Sequence, residues 1–163
     1  MGKRSKGGKG EPEKTPAPAP APVVGPLTDE FVEAASKHLA ELPPRESERW
    51  LHRYENTQPE LAEAVRLQAG DDAAVLESAD TLSFELWAML ELAQPKRLRV
   101  ALMDELAAAL ESVEAPLPAL DRYLDACVAE AKSDPARRLT PEQAAKVARI
   151  ARAVVRTLSR ARG

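Results

Sequence analysis

The sequence predicts an all-α protein, a compact bundle of about six to seven amphipathic helices preceded by a disordered N-terminal arm. Apolar residues make up 44% of the 163 residues and aromatic residues only 4%, so Leu, Ala and Val must fill most of the core. Such a composition favours helices. Apolar side chains also recur at steps of three and four, which is the spacing of one helix face. No run of alternating β-branched residues indicates a strand.

Residues 1–26 are predicted to be a disordered basic tip with a Pro/Ala-rich spacer, ahead of a helical domain at 27–163. The first ten residues are rich in Lys, Arg and Gly, and Pro alternates with Ala after Lys14. Pro-rich segments favour an extended, semi-rigid conformation. The basic start runs into proline and not into an apolar segment, so no signal peptide is predicted.

Each predicted helix begins or ends at a residue typical of helix termini. Thr28 is a predicted N-cap, Gly70 a predicted C-terminal residue, and the Pro43–Pro44 pair and Pro95 are predicted helix breakers. The second helix carries Trp50, Leu51 and Tyr54 together. The predicted helices span about 28–42, 45–56, 57–70, 72–93, 96–113, 118–132 and 139–162.

The last of these helices has the clearest pattern. Thr140, Pro141 and Gln143 predict a capped start. Its apolar face consists of Ala144, Val147, Ile150, Ala151, Val154, Val155, Leu158 and Ala161. The opposite face is a basic stripe, which we define as Lys146, Arg149, Arg152, Arg156 and Arg160. We expect the apolar face to lie in the core.

The charge is unevenly distributed along the chain. The formal net charge is −3, but residues 27–140 contain 23 acidic and 12 basic side chains, whereas both flanking segments are basic. The simplest interpretation is that the basic stripe packs on the chain's own acidic body. There are three alternatives: the stripe is simply solvated, it binds a partner protein, or it binds a nucleic-acid backbone together with the N-terminal arm.

No pattern of catalytic, metal-binding or cofactor-binding residues is present. His38 and His52 lack the Glu and His spacings of helical metal sites, and no Gly-x-Ser-x-Gly or phosphate-binding loop occurs. Cys127 is the single cysteine; it favours a reducing, cytoplasmic location and is expected to be a buried, inert thiol. We therefore expect no enzyme activity, no metal and no cofactor.

Two smaller groups of residues are candidate binding sites. Phe84 falls among acidic positions of the fourth helix with Trp87 at the boundary, so these aromatics are either covered by another helix or exposed for docking. Lys96, Arg97 and Arg99 crowd the predicted start of the fifth helix. They either pair with Glu91 or, together with free backbone N–H groups, form an anion site.

The sequence thus predicts a small non-enzymatic helical adaptor that binds a protein partner. A nucleic-acid-associated accessory protein is the alternative. No stretch reaches the roughly 18 apolar residues of a membrane span, and frequent Ala, Arg and Pro suggest a GC-rich bacterial coding sequence. The identity of the partner and the oligomeric state do not follow from these patterns.

Overall fold

The computed structural model describes residues 16–136 and 138–162. Within these ranges the chain forms seven α-helices and no strand, which confirms the predicted fold class. The helices are α1 (Asp29–Ala40), α2 (Pro44–Thr57), α3 (Pro59–Ala69), α4 (Ala73–Ala93), α5 (Met103–Leu110), α6 (Pro118–Ser133) and α7 (Pro141–Ala161).

Helix starts are fixed by local side-chain chemistry. Thr28 caps α1 by accepting from the N–H of Phe31 at 3.1 Å. Asp72 caps α4 by accepting from two backbone N–H groups at 3.1 and 3.2 Å. At α7 the predicted capping box is confirmed, because Thr140 and Gln143 each accept a hydrogen bond from the other's backbone. These bonds satisfy N–H groups that have no partner within a helix.

Helix α7 lies at the centre of the bundle and packs against α3, α4, α5 and α6. Its predicted apolar residues are all buried, and Ala148, Ala153 and Thr157 are buried as well. The buried face is therefore wider than a helix on the outside of a bundle would need. Small side chains at 148 and 153 leave room for neighbouring helices to approach closely.

The fifth helix is shorter than predicted. It begins at Met103 and ends at Leu110, so the predicted span of 96–113 is wrong at both ends. The segment before it is held extended by the fully buried Gln58, which bonds the carbonyl of Arg99 and the N–H of Ala101. These tertiary contacts outweigh the helical spacing of the leucines.

The part of the N-terminal arm that the structure describes lies against the bundle. His38 is buried, and its Nδ1 donates to the carbonyl of Ala17 at 2.9 Å. Further along, the N–H of Val23 donates to the carbonyl of Ala93 at 3.0 Å. The predicted disordered arm spans residues 1–26, and of these residues 1–15 lie outside the described part of the chain.

None of the described helices is both long enough and apolar enough to cross a bilayer. Among the described residues, no group of three or more His, Cys, Asp or Glu side chains lies in an arrangement that could hold a metal ion.

Candidate docking groove

The basic stripe of α7 contacts acceptors in its own chain. Arg156 is the most firmly held, because it donates to the carbonyls of Glu114 at 2.6 Å and Ala109 at 3.1 Å. The other four residues of the stripe each meet one acceptor, with Lys146 on the Ala69 carbonyl, Arg149 on Glu111, Arg152 on Asp125 and Arg160 on Glu114. The stripe thus lies along α6 and the α5–α6 connection.

These contacts reduce the capacity of the basic stripe to bind another molecule, because its charged groups already have partners in this chain. Arg152 is 35% exposed and Arg160 is 52% exposed, so both are partly open to solvent. A partner that took either guanidinium would have to displace a carboxylate of this chain. Binding of a partner by the stripe stays a prediction.

The candidate anion site at Lys96, Arg97 and Arg99 loses the helix N-terminus on which it depended, because α5 begins at Met103. Arg99 instead makes a two-pronged ion pair with Glu105, with nitrogen–oxygen distances of 2.6 and 3.0 Å. Lys96 and Arg97 are exposed. Glu91, the expected partner, pairs with Arg53 at 2.6 Å and accepts from the N–H of Leu98.

The two candidate docking aromatics differ in exposure. Trp87 is completely buried, so it belongs to the core and presents no surface on which a partner could dock. Phe84 is half-buried and meets the ring of Tyr54 with centroids 6.0 Å apart. These rings belong to an aromatic cluster of Trp50, Tyr54, Phe84 and Trp87. The guanidinium of Arg53 lies over the rings of Trp50 and Trp87.

Phe84 lines a groove between α2 and α4, with Arg66 of α3 at its edge. The groove encloses about 470 Å³, within the range of roughly 300–1,000 Å³ that ligand pockets occupy. Its apolar walls are Leu51, Phe84 and the ring of Tyr54. Its polar residues are Ser47, Glu48, Glu55, Arg66, Asp80 and Thr81. We call these nine residues the docking groove.

The hydroxyl of Tyr54 is the most unusual polar group in the docking groove. Tyr54 is 4% exposed, and its hydroxyl has no hydrogen-bond partner within the described part of the chain. Burial, reinforced by the nearby carboxylate of Asp80, raises the pKa of Tyr54 well above its usual value. The phenol is therefore a neutral hydroxyl that the protein covers completely, and its unpaired state costs free energy.

Asp80 shares this environment. Burial raises the pKa of its carboxyl group above the ordinary value, and Arg66 opposes that rise. The two side chains are 3.8 Å apart from Nε to Oδ2, which is longer than a hydrogen bond. Asp80 is thus a partly desolvated carboxylate with a loosely held counter-ion.

The side of α2 that faces the docking groove carries no cation. Ser47, Leu51, Tyr54 and Glu55 share that side, whereas the cationic residues Arg45, Arg49 and Arg53 fall on the other side at 100° per residue. Glu48, Glu55 and Asp80 therefore outnumber Arg66 among the groove residues. The docking groove is an apolar channel with an acidic rim.

Sequence reasoning identified Phe84 but missed the rest of the docking groove. It grouped Leu51 and Tyr54 with Trp50 without distinguishing their exposure, and in the structure Leu51 is 44% exposed whereas Tyr54 is buried. An available signal was the alternation of apolar and acidic residues on one face of α2, at Glu48, Leu51 and Glu55. This pattern is typical of a surface that is only partly covered.

A second, smaller cavity of about 260 Å³ lies between α4 and α6. Half-buried Cys127 lines it, and burial raises the pKa of the Cys127 thiol, which makes the reactive thiolate scarce. Nearby, the hydroxyl of Tyr123 donates to Glu85 at 2.8 Å. The polar groups Tyr123 and Glu85 are thus satisfied, unlike Tyr54.

Comparisons with models of protein families, with curated proteins and with solved structures find no match to this chain.

Proposed function

We propose that this chain is a small non-enzymatic protein-interaction module, an adaptor, that binds its partner in the docking groove. The observation that supports it most directly is the half-exposed Leu51 beside the half-buried Phe84, in a groove whose other lining residues include three carboxylates. Aromatic and aliphatic side chains around a few polar groups are typical of binding hot spots. The single cysteine favours a reducing compartment such as the cytoplasm as the place of action.

The chemistry of the docking groove favours binding over catalysis. Its nine residues include carboxylates, hydroxyls and one guanidinium, but neither a histidine nor a cysteine. Histidine is the most frequent general acid or base and cysteine is intrinsically very nucleophilic, so two common catalytic side chains are missing from the groove. A partner can be held here by apolar contact and charge alone.

The nucleic-acid alternative receives less support, because the arginines of the basic stripe already contact carboxylates and carbonyls of this chain. It is readily tested. Binding of generic duplex or single-stranded DNA at low salt, weakening steeply towards physiological salt, would favour it over the adaptor.

The adaptor proposal is tested by affinity capture from native cells with matched variants. Leu51→Ser changes the docking groove at an exposed wall residue, whereas Leu67→Ser changes an exposed leucine on α3 that does not line the groove. Proteins retained by the wild-type chain and by Leu67→Ser should be lost with Leu51→Ser. If the two variants retain the same proteins, the docking groove is not the interaction surface.

A further inference from the structure

We infer that the segment bound in the docking groove is a basic amphipathic helix of a partner protein, with an apolar side chain between Leu51 and Phe84 and a Lys or Arg beside Asp80. This inference rests on the proposed function and names the partner's chemistry. It follows from the charge and the shape of the groove.

The charge of the groove selects a cation. Three carboxylates, those of Glu48, Glu55 and Asp80, line it together with the single guanidinium of Arg66. Arg66 is held only loosely at 3.8 Å from Asp80. An anionic occupant, including a nucleic-acid backbone or an acidic membrane surface, would be repelled, whereas a cationic side chain would meet complementary charge.

The shape of the groove selects a helix. Ser47, Leu51, Tyr54 and Glu55 line it along about two turns of α2, and Asp80 and Phe84 line it along one turn of α4. Two helices that present such rows accommodate a third helix whose anchors are spaced at i, i+3, i+4 and i+7. The described part of the chain contains no β-strand to which an extended peptide could add.

The chain's own basic segments do not meet these requirements. The basic stripe of α7 already contacts α6 and the α5–α6 connection. Residues 1–15 supply lysines, but Met1 is their only large apolar residue, so they cannot present the row of apolar anchors that the walls require. A separate protein is thus the better occupant.

The test uses the full chain and three fluorescently labelled synthetic peptides of about 18 residues, a length that supports helix formation. The first has a Leu/Phe stripe and Lys on its other positions, the second has the same stripe with Glu in place of Lys, and the third keeps Lys but replaces the stripe with Ala. Fluorescence anisotropy at physiological salt measures the dissociation constants. We expect the first peptide to bind at least about tenfold more tightly than either of the others, a difference of about 1.4 kcal/mol.

Matched variants connect the binding to the groove. Asp80→Asn and Leu51→Ser should each raise the dissociation constant of the first peptide by about tenfold. Glu63→Gln and Leu67→Ser change exposed positions outside the groove and should leave that constant unchanged. Circular dichroism of each variant checks that the fold is kept. Phe84→Ser serves as a second change of the apolar wall.

The outcomes separate this inference from the proposed function. If the Glu peptide binds as tightly as the Lys peptide and both depend on Leu51, the choice of a basic partner is wrong while the docking groove stands. If the Lys peptide binds independently of Leu51 and Phe84, or no labelled peptide binds at a 100-fold excess of protein, the inference is overturned. The capture experiment then decides the adaptor proposal separately.

Discussion

The side chain of Gln58 binds the backbone on both sides of Val100, with its Oε1 accepting from the N–H of Ala101 at 2.8 Å and its Nε2 donating to the carbonyl of Arg99 at 2.9 Å. Gln58 is completely buried between α2 and α3, 43 residues from Ala101 in the chain. The carboxamide of Gln58 thus makes two backbone hydrogen bonds of the kind that a neighbouring strand would supply, and these hold the 98–102 segment extended.

Gln58→Ala should therefore be strongly destabilising. The substitution removes two hydrogen bonds and leaves a buried N–H and a carbonyl without their partner, so we expect the free energy of unfolding to fall by about 2–4 kcal/mol. Urea denaturation measures the change. Gln68→Ala, on the exposed side of α3, is the control and should change stability by less than about 0.5 kcal/mol. A similar small effect for both would contradict the role assigned to Gln58.

Substitution of Trp87 should destabilise the fold more than substitution of Phe84. Trp87→Ala empties a fully buried site and should cost about 3–5 kcal/mol. Phe84→Ser removes a half-buried ring at the edge of the same cluster and should cost less, leaving a folded protein. Thermal and urea unfolding of both variants measure this. Equal loss of stability would place Phe84 in the core instead of the docking groove.

Arg156 should hold the α5–α6 connection in place. Arg156→Gln removes donors to the carbonyls of Ala109 and Glu114, so we expect backbone amide hydrogen exchange over 110–117 to become faster, with a stability loss of about 1 kcal/mol. Arg149→Gln is the control, because its pairing with Glu111 is exposed and worth little. Unchanged exchange in Arg156→Gln would contradict this role.

Glu105 should contribute to the acid sensitivity of the fold. Hydrogen bonds from Arg99 and from the N–H of Leu102 lower the pKa of its carboxyl group in the folded state. The stability it adds is present above the carboxyl's unfolded pKa and is lost as the pH falls through the lower, folded pKa. The destabilisation caused by Glu105→Gln should thus be larger at pH 7 than at about pH 3. Denaturation at both pH values checks this, and a pH-independent difference would contradict it.

The contribution of Asp80 to stability should change with pH in the opposite direction to that of Glu105. Burial raises the pKa of its carboxyl group, so its contribution to stability is fully present below the unfolded pKa and is lost as the pH rises through the folded pKa. At pH 7 the carboxylate therefore weakens the fold, and Asp80→Asn should be at least as stable as the wild-type chain. Thermal unfolding at neutral pH measures this. A lower melting temperature for Asp80→Asn than for the wild-type chain at neutral pH would contradict this prediction.

The sequence predicted the helical segments well where local signals and tertiary packing agree. Thr140, Pro141 and Gln143 form the expected cap, and the apolar face of α7 is buried as predicted. Helix caps and face periodicity depend on residues a few positions apart, so they can be recognised without knowledge of the fold. The same reasoning failed for 96–102, because Gln58 acts on that segment from a distant part of the chain.

The docking groove also combines a feature that local sequence signals predict with features that depend on distant parts of the chain. The unusual position of Phe84 on an acidic face was visible in the sequence, since it depends only on the geometry of α4. The exposure of Leu51 and the missing partner of the Tyr54 hydroxyl depend on how α2 sits against α4. No local pattern specifies that arrangement, so the alternation of Glu48, Leu51 and Glu55 could indicate a partly covered surface but not the groove that Leu51 and Tyr54 line.

The central position of α7 also has a consequence for the order in which the molecule assembles. Its largest interface is with α4, and 47 residues separate the two helices along the chain. The loop between them must close before that interface can form, which slows folding relative to bundles whose consecutive helices pair. During synthesis, the sides of α3 to α6 that pack on α7 therefore stay exposed to water until α7 has emerged from the ribosome. The core can be completed only after that point.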